Sequence, residues 1–149
     1  MTIELELQIA TDSQTLPHPS QFRNWVDKAL SSRIDNIELT VRIVDNEEML
    51  ELNKTYKNKN STTNVLSFPM EQDEDYDFNV LGDIIICAPV IVQEAHEQNK
   101  DWLAHWAHMV IHGCLHLVGY DHDTEPKAVM MEGIEIILMQ ELGFKSPYE

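Results

Sequence analysis

From Asp101 to Val118 the apolar and histidine positions recur with the period of an α-helix, with Asp101 placed to cap its start and Gly119 to stop its end. His112 and His116 lie four apart on that helix, so their side chains share one face about one turn apart. His122 follows three residues after Gly119. A chain that folds back at the glycine brings the third imidazole to the other two. Any fold adopted here has to leave room around the end of this helix for all three.

Three neutral imidazoles can share one divalent ion and leave a fourth tetrahedral position for water, the form of a catalytic rather than a structural zinc site. A histidine pair at helical spacing is often only a satisfied polar pair on a half-buried face. Three histidines with the glycine in place favour metal binding, with one Zn2+ ion per chain expected. Imidazole ligands also suit copper, iron and nickel. The pattern HxxxHxxGxxH has the spacing of metzincin peptidases, but Gly113 stands where those enzymes carry a glutamate. His105 and His108 lie near the same stripe and read as core or supporting residues, while His18 and His96 have no supporting context. Cys114, two positions from each helical histidine, points to another face and reads as packing.

The 149 residues fit a single domain, 1–149. A net charge of −16 argues against a broad phosphate-binding surface, yet Lys54, Lys57 and Lys59 cluster in NKTYKNKN and leave a local cationic site open. Cys87 and Cys114, both in apolar surroundings, suit free thiols in a reducing compartment, and cytoplasm is the simplest location. No membrane span is expected, and MTIELELQIA lacks the basic start of a secretory signal.

Ile3, Leu5, Leu7 and Ile9 alternate with polar residues, which predicts a strand with one buried face. Phe22, Trp25, Val26, Ala29 and Leu30 predict an amphipathic helix after LPHPS. IELTVRIVD reads as a strand, followed by a helix through NEEMLELNKTY capped by Asp45 or Asn46. NVLSFP and LGDIIICA read as further strands, with the acidic loop EQDEDYDFN between them. Pro89 opens a helix to about Asn99, and Pro126 opens a last one, AVMMEGIEIILMQEL, closed by Gly143. Four strands and about five helices predict an α+β fold: a mixed four-stranded sheet with a zincin-like metal helix.

HGCLHLVGYDH resembles the HGxLHLxGYDH motif of the YbeY family of endoribonucleases, and NKTYKNKNSTTNVLSFP resembles that family's LNxxYRxKDxPTNVLSFP segment. LGDIIIC and AHWAHMVIHG also look like family text, so the resemblance covers most of the chain. It implies a zinc-dependent endoribonuclease specific for single strands, acting in maturation of the small-subunit ribosomal RNA 3′ end and in ribosome quality control. The zinc histidines map onto His112, His116 and His122. The family's active-site arginine falls at Lys57, which keeps a cation but loses the planar fork that grips a phosphate bidentately. Thr62 replaces a family proline. The implied partners are single-stranded ribosomal RNA, the ribosome, a small-subunit ribosomal protein and an Era-type GTPase.

The chemistry is consistent with this. A zinc ion polarises a phosphoryl oxygen and brings the pKa of its water to about 7, whereas a peptide bond also needs a proton delivered to its amine. Lys57 is expected to stabilise charge on the scissile phosphate, with Arg42 or Lys59 orienting RNA. Asp121 either orients a ligand histidine or stabilises the turn, and Asp121 or Asp123 is open as an alternative base. Asn64, Ser67 and Tyr120 are open to RNA contact or to local structural roles, and Trp106 reads as core. A zinc peptidase and a ribosome assembly factor with a structural metal are the competing functions.

Overall fold

The computed structural model describes residues 2–71 and 75–148, so the predicted acidic loop lies partly outside the described residues, at 72–74. The described elements run β1 (Ile3–Ala10), α1 (Pro19–Leu30), β2 (Ile37–Val44), α2 (Asn46–Lys57), β3 (Val65–Pro69), β4 (Asn79–Cys87), α3 (Ala88–Glu97), α4 (Trp102–Leu117) and α5 (Glu125–Glu141). The sheet order is β1-β2-β4-β3, with β1, β2 and β4 parallel and β3 antiparallel to β4 at one edge. This is the mixed four-stranded sheet expected of the sequence. No helix among the described residues is long and apolar enough to cross a membrane.

Alternation along the strands sends side chains to both faces. Leu39, Val41 and Ile43 of β2 and Ile84 and Ile86 of β4 join Phe22, Trp25, Trp106, Val110 and Ile111 in the main core. Val44, Leu66, Ile85 and Cys87 face the other way and are covered by Met49 of α2. Phe22 and Trp106 meet edge to face at 5.8 Å, which joins α1 to α4 over the sheet. Trp106 is thus fully buried, a core residue as the sequence predicted.

The helix starts follow their local chemistry. Asp101 accepts from the Ala104 N–H, and Thr124 accepts from the Lys127 N–H with Pro126 in the first turn. His18, without an assigned role from sequence, caps α1 by accepting from Ser20 N–H and pairs with Gln21 in a capping box. Asp45 is the N-cap residue of α2 but makes no capping hydrogen bond, because its carboxylate is engaged by the Thr11 hydroxyl and the Asp12 N–H. One expectation fails at β1: Ile9 is 52% exposed, since this edge strand outruns its covering helices and buries only its first apolar residue fully.

Gly82 lies in β4 with φ +131°, beside a register shift between Glu38 and Leu39 of β2. A Cβ there would overlap the Phe68 carbonyl oxygen of β3, so glycine sets how closely the two strands approach. Gly82→Ala is expected to lower the unfolding free energy by about 1–3 kcal/mol in a urea titration. Unchanged stability would mean that β3 is free to move away.

Candidate metal centre and its cleft

α4 ends in a Schellman motif: Tyr120 N–H donates to Leu115 O at 3.0 Å and Gly119 N–H to His116 O at 3.1 Å, with Gly119 at φ +103°. The motif reverses the chain and places the Tyr120 carbonyl 3.0 Å from His116 Nδ1. A carbonyl only accepts, so His116 carries its proton on Nδ1 and directs the Nε2 lone pair away from the turn. His112 Nε2 lies 3.1 Å from His116 Nε2, and the His122 ring centre is 5.6 Å from that of His112 and 5.0 Å from that of His116. One nitrogen from each of the three lies within 4.8 Å of the others.

These donors fit a divalent ion. Tetrahedral zinc with nitrogens at 2.0–2.1 Å separates its ligand atoms by about 3.3 Å, close to the spacing of the two helical imidazoles. Burial first, then the neighbouring His112 and His122, lower the His116 pKa below its ordinary value, which keeps it in the neutral, ligating form. Asp121 serves the turn: its carboxylate accepts from the His122 N–H at 2.8 Å, and that hydrogen bond lowers its pKa. Asp123 is paired with Lys127 at 3.5 Å.

Gly113 acquires a physical explanation. A Cβ at this position would lie 2.7 Å from Ile84 Cγ2 and 3.2 Å from both Cγ1 and Cδ1, so α4 rests on β4 at this residue. The position that carries glutamate in metzincins faces the sheet here. The Gly113 carbonyl accepts from the Ser67 hydroxyl at 3.3 Å, which ties β3 to α4 and engages the hydroxyl left open to RNA by the sequence.

The three histidines line a cleft of about 660 Å³ together with Lys57 and Lys59. The Lys57 ammonium sits 5.6 Å from the centre of the Phe68 ring, a cation–π contact that holds it over β3. Asn58 ends α2 in the left-handed conformation at φ 55°, and buried Asn53 ties down the following loop by donating to Ser61 O at 2.7 Å. Asn64 lines the cleft, but its amide donates to Glu94 at 3.1 and 3.3 Å, and Glu94 also meets His105 Nε2 at 2.9 Å. Tyr120 is half-buried, with the Arg33 guanidinium 6.0 Å from its ring centre.

Arg42 is not brought to this cleft. Its partner across the sheet is Ile85, on the face opposite Ile84 and Gly113, and it donates to Glu48 at 2.7 and 3.0 Å and to Gln8 at 3.0 Å. The hydrogen bond to Glu48 raises its pKa. Burial pushes up the thiols of Cys87 and Cys114, as suits packing residues.

Sequence reasoning missed Glu135, a fully buried carboxylate on α5. It meets His108 Nε2 at 2.6 Å, His112 Nδ1 at 3.1 Å and the Tyr148 hydroxyl at 2.7 Å. Burial would push this carboxyl up, but the hydrogen bonds from the two imidazoles outweigh it and hold the pKa at about 2. His108, His112 and Glu135 form a second group of potential ligands, but contacts as short as 2.6 Å are hydrogen bonds that leave no room for an ion between them. The available signal was a glutamate four residues from both Met131 and Met139, in the buried stripe of α5.

Comparison with known proteins gives the family and the fold. The model of the family described as Endoribonuclease YbeY matches residues 8–143. A relative from Colwellia psychrerythraea named Endoribonuclease YbeY is 51% identical over 148 residues, covering 97% of this chain and 96% of its own length. The solution structure of TM1509 from Thermotoga maritima shares the fold, with a TM-score of 0.60 at 23% identity over 92% of this chain and 91% of its own.

Gly113→Ala is expected to cost about 1–3 kcal/mol in chemical denaturation. Combined with Ile84→Ala, it should cost less than the sum of the single changes, because the second removes every atom the new methyl meets. Strict additivity would mean that α4 does not rest on β4 at this point.

Proposed function

The chain belongs to the YbeY family of endoribonucleases, and from that membership we propose that it is a zinc-dependent endoribonuclease that cuts single-stranded ribosomal RNA. The observation that carries the reading is one cleft lined both by three imidazoles converging on one point and by two lysines, in a chain of net charge −16. An acidic body repels phosphates everywhere except where cations are gathered. The cleft is such a place.

His112, His116 and His122 would hold one Zn2+ ion. When bound, such an ion supplies Lewis acidity toward a phosphoryl oxygen and an acidified water. Lys57 neutralises charge developing on the scissile phosphate as a point charge, since an ammonium lacks the bidentate fork of arginine. Lys59, on the anchored loop, takes an adjacent phosphate and sets the register of the strand. Asp121 keeps the turn that carries His122. Arg42, held by Glu48 on the other face of the sheet, is left out of this role.

A peptidase reading has less support. Amide cleavage needs a proton for the departing amine, and Gly113 is packed too tightly against Ile84 for a glutamate. The cellular role proposed with this activity is maturation of the small-subunit ribosomal RNA 3′ end and ribosome quality control in the cytoplasm. The ribosome, a small-subunit ribosomal protein and an Era-type GTPase are the proposed partners.

The test is cleavage of matched single-stranded and double-stranded ribosomal RNA fragments by metal-quantified protein. His116→Ala should remain folded and lose cleavage of the single strand by about 100-fold or more, and Lys57→Ala should lose about 100-fold while retaining the metal. Equal cutting by wild type and His116→Ala would contradict the reading, as would peptide hydrolysis in place of RNA cleavage. Bound zinc should be retained at neutral pH and released on acidification, at a lower pH than an ordinary imidazole would give, because burial and then the neighbouring His112 and His122 hold the His116 pKa down.

A further inference from the structure

The three contacts to Glu135 can be assigned chemically. Oε2 lies within reach of His108 Nε2 and His112 Nδ1, and Oε1 is reached by the Tyr148 hydroxyl. An ionised carboxylate has no proton to give, so every one of these contacts must be donated to it. His112 therefore carries its proton on Nδ1 and turns the Nε2 lone pair toward His116 and His122. Tyr148 enters from the segment beyond α5 with its ring edge-to-face on His108 at 5.4 Å. Pro147, the residue before it, is buried, while Tyr148 keeps 47% of its surface exposed, so only the hydroxyl end reaches inward.

We propose that Glu135 is a positioning residue for His112 and that Tyr148, from outside the helix bearing the ligands, completes the same centre by holding Glu135 in place. The proposal rests on the metal-binding role of His112 given above. Its physical basis is that a buried anion demands donors from every side. Here the donors come from α4 and from the segment beyond α5, so the ring is oriented before any ion arrives. His116 reaches the same tautomer through the Tyr120 carbonyl of its own turn. The two helical ligands are thus fixed by independent acceptors, one short-range in sequence and one 23 residues away.

Glu135→Leu tests this, because an apolar side chain of similar size offers no acceptor to any of the three donors. Two readouts apply: the tautomer of His112 in the metal-free protein by long-range proton–nitrogen NMR at mildly alkaline pH, and zinc affinity by competition with a chromogenic chelator. Wild type should show the Nδ1–H form, and Glu135→Leu should lose it and bind zinc about 10–100-fold more weakly. Retention of the Nδ1–H form in Glu135→Leu overturns the proposal whether or not zinc binds. Should wild type itself take up no zinc, the metal reading fails while the tautomer still decides the role of Glu135. Where Glu135→Leu does not fold, Tyr148→Phe removes one hydroxyl from a half-exposed side chain and should weaken zinc binding about tenfold with an unchanged circular dichroism spectrum. Wild-type affinity in Tyr148→Phe would remove Tyr148 from the centre.

Discussion

The closeness of α4 to β4 governs the rest of this molecule. At Gly113 the helix backbone touches Ile84 with no side chain between, and one residue earlier His112 leaves the same helix toward the cleft. The contact fixes both the height of the histidines above the sheet and their distance from β3, which is tied to the same point through Ser67 and Gly113. A bulkier residue would lift the helix, and the imidazoles would move with it away from β3. Gly82 acts in the same way one layer below, where β4 meets β3.

Much of this was legible in the sequence because it depends on short-range geometry. A period of 3.6 puts His112 above His116. The Schellman motif needs a residue at positive φ, so Gly119 announces both the end of the helix and the return of the chain to His122. Alternation in IELTVRIV and the β-branched run in LGDIIIC likewise belong to the strands they form.

What the sequence hid is long-range. Glu135 looks like one acid among 26 until α5 turns it inward against α4, and Tyr148 gains a role only because the chain beyond α5 returns to that point. Arg42 looks as suitable for RNA as Lys57 does, but the pleat of β2 sends it to the α2 face, where Glu48 meets it. Gly113 reads as the loss of a catalytic base, whereas its packing shows a position that never had space for one. Ile9 follows the alternation of a buried strand and is exposed because it lies on the edge of the sheet, past its cover.

The electrostatic arrangement links fold to proposed chemistry. A strongly acidic surface disfavours adventitious contact with nucleic acid, so the proposed RNA binding would be confined to the few cations at the cleft, and its affinity should depend only modestly on salt. Below that surface a single buried carboxylate organises the histidines, at the distance from solvent where an ionised group most strongly orients its neighbours. The three imidazoles are proposed to form an open centre, and X-ray absorption at the zinc edge on protein loaded with one equivalent measures its ligands. Three imidazole nitrogens at about 2.0–2.1 Å and one further oxygen ligand from solvent are expected. A sulfur ligand, a carboxylate in place of one imidazole, or a spectrum unchanged by His116→Ala would contradict the proposal.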